Sequence, residues 1–477
     1  MDYIERFRKA IRINTSWRDG GEQALRRFQR FLARAFPAFH KAAERRIVSP
    51  FSVVYRWPAA ARKARPAAVK QAVERAGAAK QENPAENAPV LFLAHYDVVP
   101  AEAEKWSADP FGAEIREEDG TQYVYGRGAL DMKSMLIAIL ESAEELCEKG
   151  FAPERDIWFA FGGDEERAGI AGAKETARIL AEEGRRFAWI LDEGSPVTED
   201  QIKGIREPLV LVGIEEKGFL SMDLVVEQKP GHASQPPKIQ AAAILARALC
   251  RIDKRPFPFA LDPVVEAFFK GCAKHSGGVQ SWVMKHARVL GPLFFRIAAA
   301  SPVTAALLRT TVAMTMLKGS AADNVMPSAV TAVLNLRLLP PWTVETALAR
   351  VKETVNDDRV SVRIHGLATD PVPAVPGQEN VPGFRKNGGR AASASAGWDK
   401  ILGAAAAAFP GVPVLPFLMT ATTDSRHYSE LAGPIYRFNP QVLDPGELSR
   451  IHGHDERISL VNLENCRGFY SSLLELL

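Results

Sequence analysis

Cysteine is scarce in this chain of 477 residues: only Cys147, Cys250, Cys272 and Cys466 are present. No two of them stand at close metal-ligand spacing, and three fall in helical patterns. A disulfide framework is thereby excluded, and buried or incidental thiols in a reducing compartment are expected. Long apolar runs are missing too. The most apolar stretch, Leu290 to Leu308, is broken by Pro292, Arg296 and Pro302, whereas a membrane span needs about 20 mostly apolar residues. The opening, MDYIERFRKAIRINT, is charged from the start and has no signal-peptide core. A cytoplasmic location is expected. Nor is there an excess of charge: 60 Lys and Arg face 57 Asp and Glu, for a net +3. That balance predicts no nucleic-acid or membrane partner. Arg26, Arg27, Arg30, Arg34, Arg45 and Arg46 sit among apolar residues at helical spacing, the pattern of a solvated helix face.

What is present is 47% hydrophobic and 25% charged residues, the balance of a globular enzyme, in a chain too long for one ordinary domain. From Met1 to about Pro58 the pattern is helical, ending in an extended run, Val53 to Trp57. A tract from about Ala67 to Asn87 reads as a helix leading into a loop. Pro89–Ala94, Asp156–Phe161 and Ala188–Leu191 are short apolar runs, as in strands buried on both faces. Helices are predicted between them at Met132–Lys149, closed by Gly150, and at Ile170–Glu183, closed by Gly184. This alternation predicts an α/β domain around a mixed or parallel sheet flanked by helices.

Near Val212 the character changes. Gly218–Val226 and Ala329–Leu338 alternate like half-exposed strands. Helices follow at Ile239–Arg251 and Val344–Val355, and a strand at Val360–Ile364. A long helical insertion occupies about 263–317. Together these predict an α+β lid spanning 213–370, inserted into a sheet domain formed by 1–212 and 371–477. A stretch near Gly388–Gly397 reads as a flexible loop. A helix at Trp398–Phe409 and a strand before Thr420 resume the α/β pattern.

The candidate chemistry sits at strand ends. The first buried strand runs into His95-Tyr96-Asp97, whose outer two residues point the same way on an extended chain. The second ends in Gly162-Gly163-Asp164-Glu165-Glu166, and the third in Asp192-Glu193. Between the first two, the turn Gly126-Arg127-Gly128-Ala129-Leu130-Asp131 places an Asp just before a helix. Singly, Asp131 reads as a helix cap and the glutamates as surface carboxylates. Together, three strands delivering acids to one sheet edge create repulsion that persists only if cations neutralise it. Imidazole with carboxylate suits zinc, with manganese or cobalt as substitutes. Two metals sharing a bridging carboxylate would stand about 3.5–4 Å apart.

The motifs also resemble a known family. His95 to Pro100, Trp106, Pro110-Phe111, Gly126-Arg127-Gly128 with Asp131 and Lys133, and Asp164-Glu165-Glu166 are similar to the co-catalytic zinc peptidases. That family contains aminoacylase, glutamate carboxypeptidase and carboxypeptidase S. Downstream, Gly231 to Ser234, Asn324 to Ser328, Thr423 to Tyr428 and His452 to Glu456 extend the likeness over nearly the whole chain. The resemblance implies that His95, Asp131, Glu166, Glu193 and His452 hold two zinc ions, with Asp131 bridging. Asp192 is the alternative to Glu193, and His454 to His452. It implies Glu165 as general base, Asp97 as the residue that orients His95, and His232 and Asn324 as donors to an oxyanion. Arg426 would suit a substrate carboxylate, or else pair with Asp424; Arg337 is a further candidate for that carboxylate.

Thr423–Tyr428, Tyr436-Arg437-Phe438 and Leu308-Arg309-Thr310-Thr311 look most like the carboxypeptidase S subgroup. That implies cleavage of a peptide or N-acyl amide beside an amino acid with a free carboxylate, in an enzyme that is a homodimer through its lid strands. An aminoacylase-type deacetylase and a catalytically idle metal-binding scaffold are the competing readings. Within the insertion, Phe268, Phe269, Trp282, Leu293, Phe294 and Phe295 either wall an acyl pocket or only pack against the lid.

Overall fold

A computed structural model describes residues 1–60, 88–200, 202, 204–374 and 396–477. The expected helix and loop at 67–87, and most of the expected loop at 388–397, lie outside the described residues. The chain forms two compact units. The first comprises Met1–Ile214, Ala374–Pro416 and Thr423–Leu477, the second Glu215–Pro373 and Phe417–Thr422.

In chain order the strands of the first unit begin with β1 (Glu44–Ser49), β2 (Ser52–Trp57), β3 (Val90–His95), β4 (Ile115–Glu118), β5 (Thr121–Tyr125), β6 (Ile157–Gly162), β7 (Ile190–Thr198) and β8 (Leu209–Glu216). The second unit contributes β9 (Gly218–Glu227), β10 (Gly231–His232), β11 (Thr311–Lys318), β12 (Val325–Met326), β13 (Ala329–Leu338) and β14 (Ser361–Thr369). The chain closes with β15 (Val414–Met419), β16 (Ile435–Leu443) and β17 (Arg457–Ser459).

Eight strands make one mixed sheet, in the order β1-β2-β6-β3-β7-β16-β8-β15. Its centre is parallel, with β3 between β6 and β7 and β16 beside β7. Every residue of β3 and of β6 is buried, which explains their unbroken apolar sequence. The helix Lys133–Glu148 is buried along most of its length. It ends at Gly150, whose φ of +75° continues the chain where a side chain would be strained. The helix Leu460–Glu475 packs beside it, capped by Ser459, whose hydroxyl accepts from the Asn462 N–H.

Several elements depart from the sequence reading, and three show why. The segment β1 was absorbed into the N-terminal helical pattern because its Glu44-Arg45-Arg46 charges mask a strand. It is an edge strand, where charged side chains remain in water. The strand β16 carries Arg437, Asn439 and Gln441 inside the sheet, all buried, so no apolar run announces it. The insertion does not stay helical to residue 317. Its last helix ends at Leu308, and Thr311–Lys318 is strand β11. Backbone pairing with β13, from Thr311 opposite Arg337 to Lys318 opposite Thr331, overrides the apolar continuity that suggested a helix.

The second unit is a four-stranded antiparallel sheet, β11-β13-β9-β14. Leu220, Met222, Leu224 and Val226 on β9 and Leu334, Leu336 and Leu338 on β13 alternate into its core. Helices Ala241–Lys254 and Val344–Val355 cover that face. Each such leucine contributes about 2 kcal/mol by leaving water. The five helices of the insertion run Pro263–Cys272, Gly278–Lys285, Ala287–Leu290, Pro292–Ala298 and Pro302–Leu308. Of its large apolar residues, Phe268, Phe269 and Phe294 are buried and mutually packed, whereas Trp282 and Leu293 are exposed.

Candidate metal centre

The carboxyl ends of β3 and β6 converge on the first half of β7, which runs on to Thr198 instead of ending at Asp192-Glu193 as the sequence suggested, and five side chains form two overlapping donor groups. His95, Asp131 and Glu193 make one; Asp131, Glu166 and His452 make the other. Asp131 belongs to both. One of its oxygens, Oδ1, lies 2.9 Å from His95 Nε2, and the other, Oδ2, 3.0 Å from His452 Nε2. Glu193 Oε1 is 3.5 Å from His95 Nε2, and Glu166 Oε1 is 3.1 Å from His452 Nε2.

Each donor has a local reason for its position. His95 is the last residue of β3, 1% exposed. Asp97 lies two residues on and accepts from two consecutive amides, Glu165 N–H at 3.2 Å and Glu166 N–H at 3.1 Å. It thereby fixes the short 3₁₀ turn Glu165–Arg167, and its Oδ1 also stands 3.4 Å from His95 Nδ1. Asp131 closes a turn in which Gly128 has φ +82°. A Cβ at Gly128 would fall 2.5 Å from the Val98 side chain. Glu193 is presented by β7, while Asp192 turns away. Its oxygens accept from the Glu193 and Ser425 amides, both at 2.8 Å.

His452 sits in a loop with φ +60°, its side chain half exposed. Arg127 and Glu456 hold that loop. Glu456 accepts from the Leu130 amide at 2.7 Å and the Gly128 amide at 3.1 Å, and Arg127 donates to Gly453 O at 2.8 Å. Sequence alone gives these two residues no role of their own; the positive charge of Arg127 between Gly126 and Gly128 is the available signal. His454 is exposed and joins neither donor group.

Electrostatics follow from crowding acids out of water. Burial, with the nearby Glu193 charge, raises the Glu165 carboxyl well above its usual range. Burial pushes Glu193 up to about 8, opposed by His95 and reinforced by Asp131. Hydrogen bonds to Asp131 and Glu166 push His452 up to about 10. Burial opposes ionisation of Asp131, yet bonds from His452 and His95 hold it below the ordinary range. Asp424, encased where a Cβ on Gly169 (φ +66°) would lie 2.1 Å from its Oδ1, is raised by burial and by Asp192. Two histidines do not neutralise so many acids. Donors bound tetrahedrally at zinc distances stand about 3.3–3.6 Å apart, close to the separations observed. The donor set therefore fits divalent cations.

The other residues singled out from sequence lie outside this cluster. Arg426 donates to Ala168 O at 3.0 Å, just after the Glu165–Arg167 turn, and His427 Nε2 approaches the same oxygen at 2.8 Å. Within the second unit, β10 and β12 pair His232 with Val325, and Ala233 N–H donates to Asn324 O at 3.0 Å. His232 and Asn324 are thus neighbours, with His232 exposed and its Nδ1 2.8 Å from Ser234 Oγ. Arg337 lies over the Phe219 ring, 4.9 Å from its centroid.

The profile of peptidase family M20/M25/M40 matches residues 91–476. N-fatty-acyl-amino acid synthase/hydrolase PM20D1 of Xenopus tropicalis is 37% identical over 389 residues, covering 81% of this chain and 72% of its own. Probable carboxypeptidase S-like 2 of Dictyostelium discoideum is 31% identical over 460 residues, covering 96% and 80%. An M20 family metallo-carboxypeptidase of Sulfolobus solfataricus has the same fold, with a TM-score of 0.69 at 15% identity, covering 100% of this chain and 99% of its own. Human carnosine dipeptidase 1 gives 0.63 at 15% identity, covering 99% and 95%. The chain belongs to peptidase family M20/M25/M40 and is a metal-dependent hydrolase.

Proposed function

We propose that the chain is a two-zinc hydrolase of carboxypeptidase S type, cleaving an amide bond beside an amino acid whose carboxylate is free. The substrate is a small peptide or an N-acyl amino acid. The observation that carries this reading is the sharing of Asp131 between two donor groups with Glu165 alongside. His95, Asp131 and Glu193 would hold one ion, and Asp131, Glu166 and His452 the other. Cobalt or manganese would suit the same donors. When bound, such ions polarise a carbonyl and acidify water.

The chain's own groups supply the rest. Glu165 takes a proton from the attacking water and returns it to the leaving amine. Asp97 holds the Glu165 turn and the His95 ring in register. His232 and Asn324, carried by the second unit acting as a lid, donate to the oxyanion, in one chain or from a partner copy. Arg426 or Arg337 takes the substrate carboxylate through its planar fork.

A cytoplasmic homodimer is part of the same proposal. All four cysteines are free, which suits a reducing compartment. The sheet edge formed by β11 is exposed from Ala313 to Lys318, which suits pairing with a second copy. The deciding experiment compares dipeptides with long-chain N-acyl amino acids as substrates of the zinc-loaded enzyme. Release of free amino acid from either class supports the reading; release from neither refutes it.

A further inference from the structure

The insertion exposes an unusual set of large apolar side chains. Val279 is 78% exposed, Trp282 54%, Val289 85%, Leu293 56%, Ile297 51% and Val303 65%. On the helix Gly278–Lys285, Val279 and Trp282 are three apart. On the helix Pro292–Ala298, Leu293 and Ile297 are four apart, so each pair shares a face. The same helices bury Met284 and Phe294. Each is therefore apolar on two sides, one packed inward and one facing water.

The charge around these residues is of one sign. From Ala267 through Ala322 there is no Asp or Glu, although 57 acids in 477 residues would put about seven in such a stretch. The stretch carries Lys270, Lys274, Lys285, Arg288, Arg296, Arg309 and Lys318. Lys270 and Arg288 pair with Glu266, at 2.8 and 2.5 Å. Among the described residues Lys274, Lys285 and Arg296 have no ion pair, and all three are exposed. The near-zero net charge of the whole chain concealed this, because the offsetting acids lie elsewhere.

We propose that the exposed apolar and basic residues of the insertion lie on an anionic lipid surface. Exposed aliphatic residues enter the boundary between headgroups and acyl chains, Trp282 suits the headgroup level, and Lys274, Lys285 and Arg296 meet lipid phosphates. No helix among the described residues is long and apolar enough to cross a membrane, so the contact is peripheral. A second copy is the weaker occupant. A two-fold contact sets a patch against itself, which would bring cations together with no acid to answer them. The proposal stands apart from the substrate assignment, and its test does not read activity.

The test is sedimentation of the full-length, zinc-loaded protein with sucrose-loaded vesicles. Wild type is expected to partition at least ten-fold more strongly onto phosphatidylglycerol–phosphatidylcholine (1:1) than onto phosphatidylcholine alone. The preference should collapse in 0.5 M NaCl. The triple variant Trp282→Ser, Leu293→Ser, Ile297→Ser should lose at least ten-fold in partitioning with unchanged Tm. Lys285→Glu with Arg296→Glu, whose side chains are exposed, should lose as much and serves as the second arm if the triple variant does not fold. Equal binding to both vesicle types, no binding at low salt, or undiminished binding by the charge-reversed variant would overturn the proposal. So would a solution dimer that becomes monomeric in the triple variant, because a second copy would then cover this face.

Discussion

Arg127 Nη1 lies 2.7 Å from Glu456 Oε2, with side-chain exposures of 3% and 1%. This buried pair joins the turn that ends in Asp131 to the loop that carries His452. One end of the link is built from backbone amides accepted by Glu456, the other from carbonyls reached by Arg127.

Glu456→Gln leaves Arg127 buried without its counter-charge. Breaking a buried pair costs about 3–5 kcal/mol, and loss of a group that orients metal ligands costs about 10–100-fold in affinity. Zinc titration of the metal-free variant by calorimetry should show binding weakened by that factor, because Glu456 holds the turn of the shared Asp131 as well as the loop of His452. Wild-type affinity at both sites would contradict the role of the link.

Asp131→Ala removes the one carboxylate common to both donor groups. If two zinc ions bind as proposed, its zinc content should fall to less than one per chain. Glu193→Ala and His452→Ala each strike one group, so each should retain about one. Metal analysis after gel filtration distinguishes these outcomes.

Glu165→Gln keeps the size of the side chain but removes the carboxylate proposed as the base. Turnover should fall by at least about 10²–10⁴-fold, the usual contribution of a positioned acid–base group. Zinc content should stay at the wild-type value. A variant with near-normal turnover would show that another group moves the proton.

Zinc binding should depend on pH in one direction. In the metal-free protein Glu193 titrates near 8 and His452 near 10, so both hold protons at pH 7 and must release them to bind metal. Affinity should therefore rise as pH increases from 6 to 8. Calorimetry in buffers of different ionisation enthalpy should show protons released on binding. Proton uptake, or an affinity flat with pH, would contradict the assignment of these donors.

Much of this molecule was determined by sequence alone. Strands β3 and β6 are buried on both faces, so their apolar runs are uninterrupted, and the acids and imidazole at their ends stand out by contrast. The helix Val344–Val355 and strand β13 have the bounds their periodicity predicts, because one face of each packs on a single core. Strand β16 was invisible for the opposite reason: it buries polar residues that bond to partners distant in the chain, as when Gln441 donates to Leu130 O at 3.0 Å and Arg437 to Ser425 Oγ at 2.9 Å.

Only the tertiary structure decided which acid faces which imidazole. Asp192 and Glu193 are adjacent in sequence and chemically alike. The fold turns Asp192 onto the Ser425 amide and Glu193 toward His95. Likewise His452 reaches Asp131 and Glu166 while His454 stays in solvent, because Arg127 and Glu456 clamp the loop between them. Donor type is a property of residues and is legible along the chain. Donor convergence comes from long-range hydrogen bonds that no local pattern encodes.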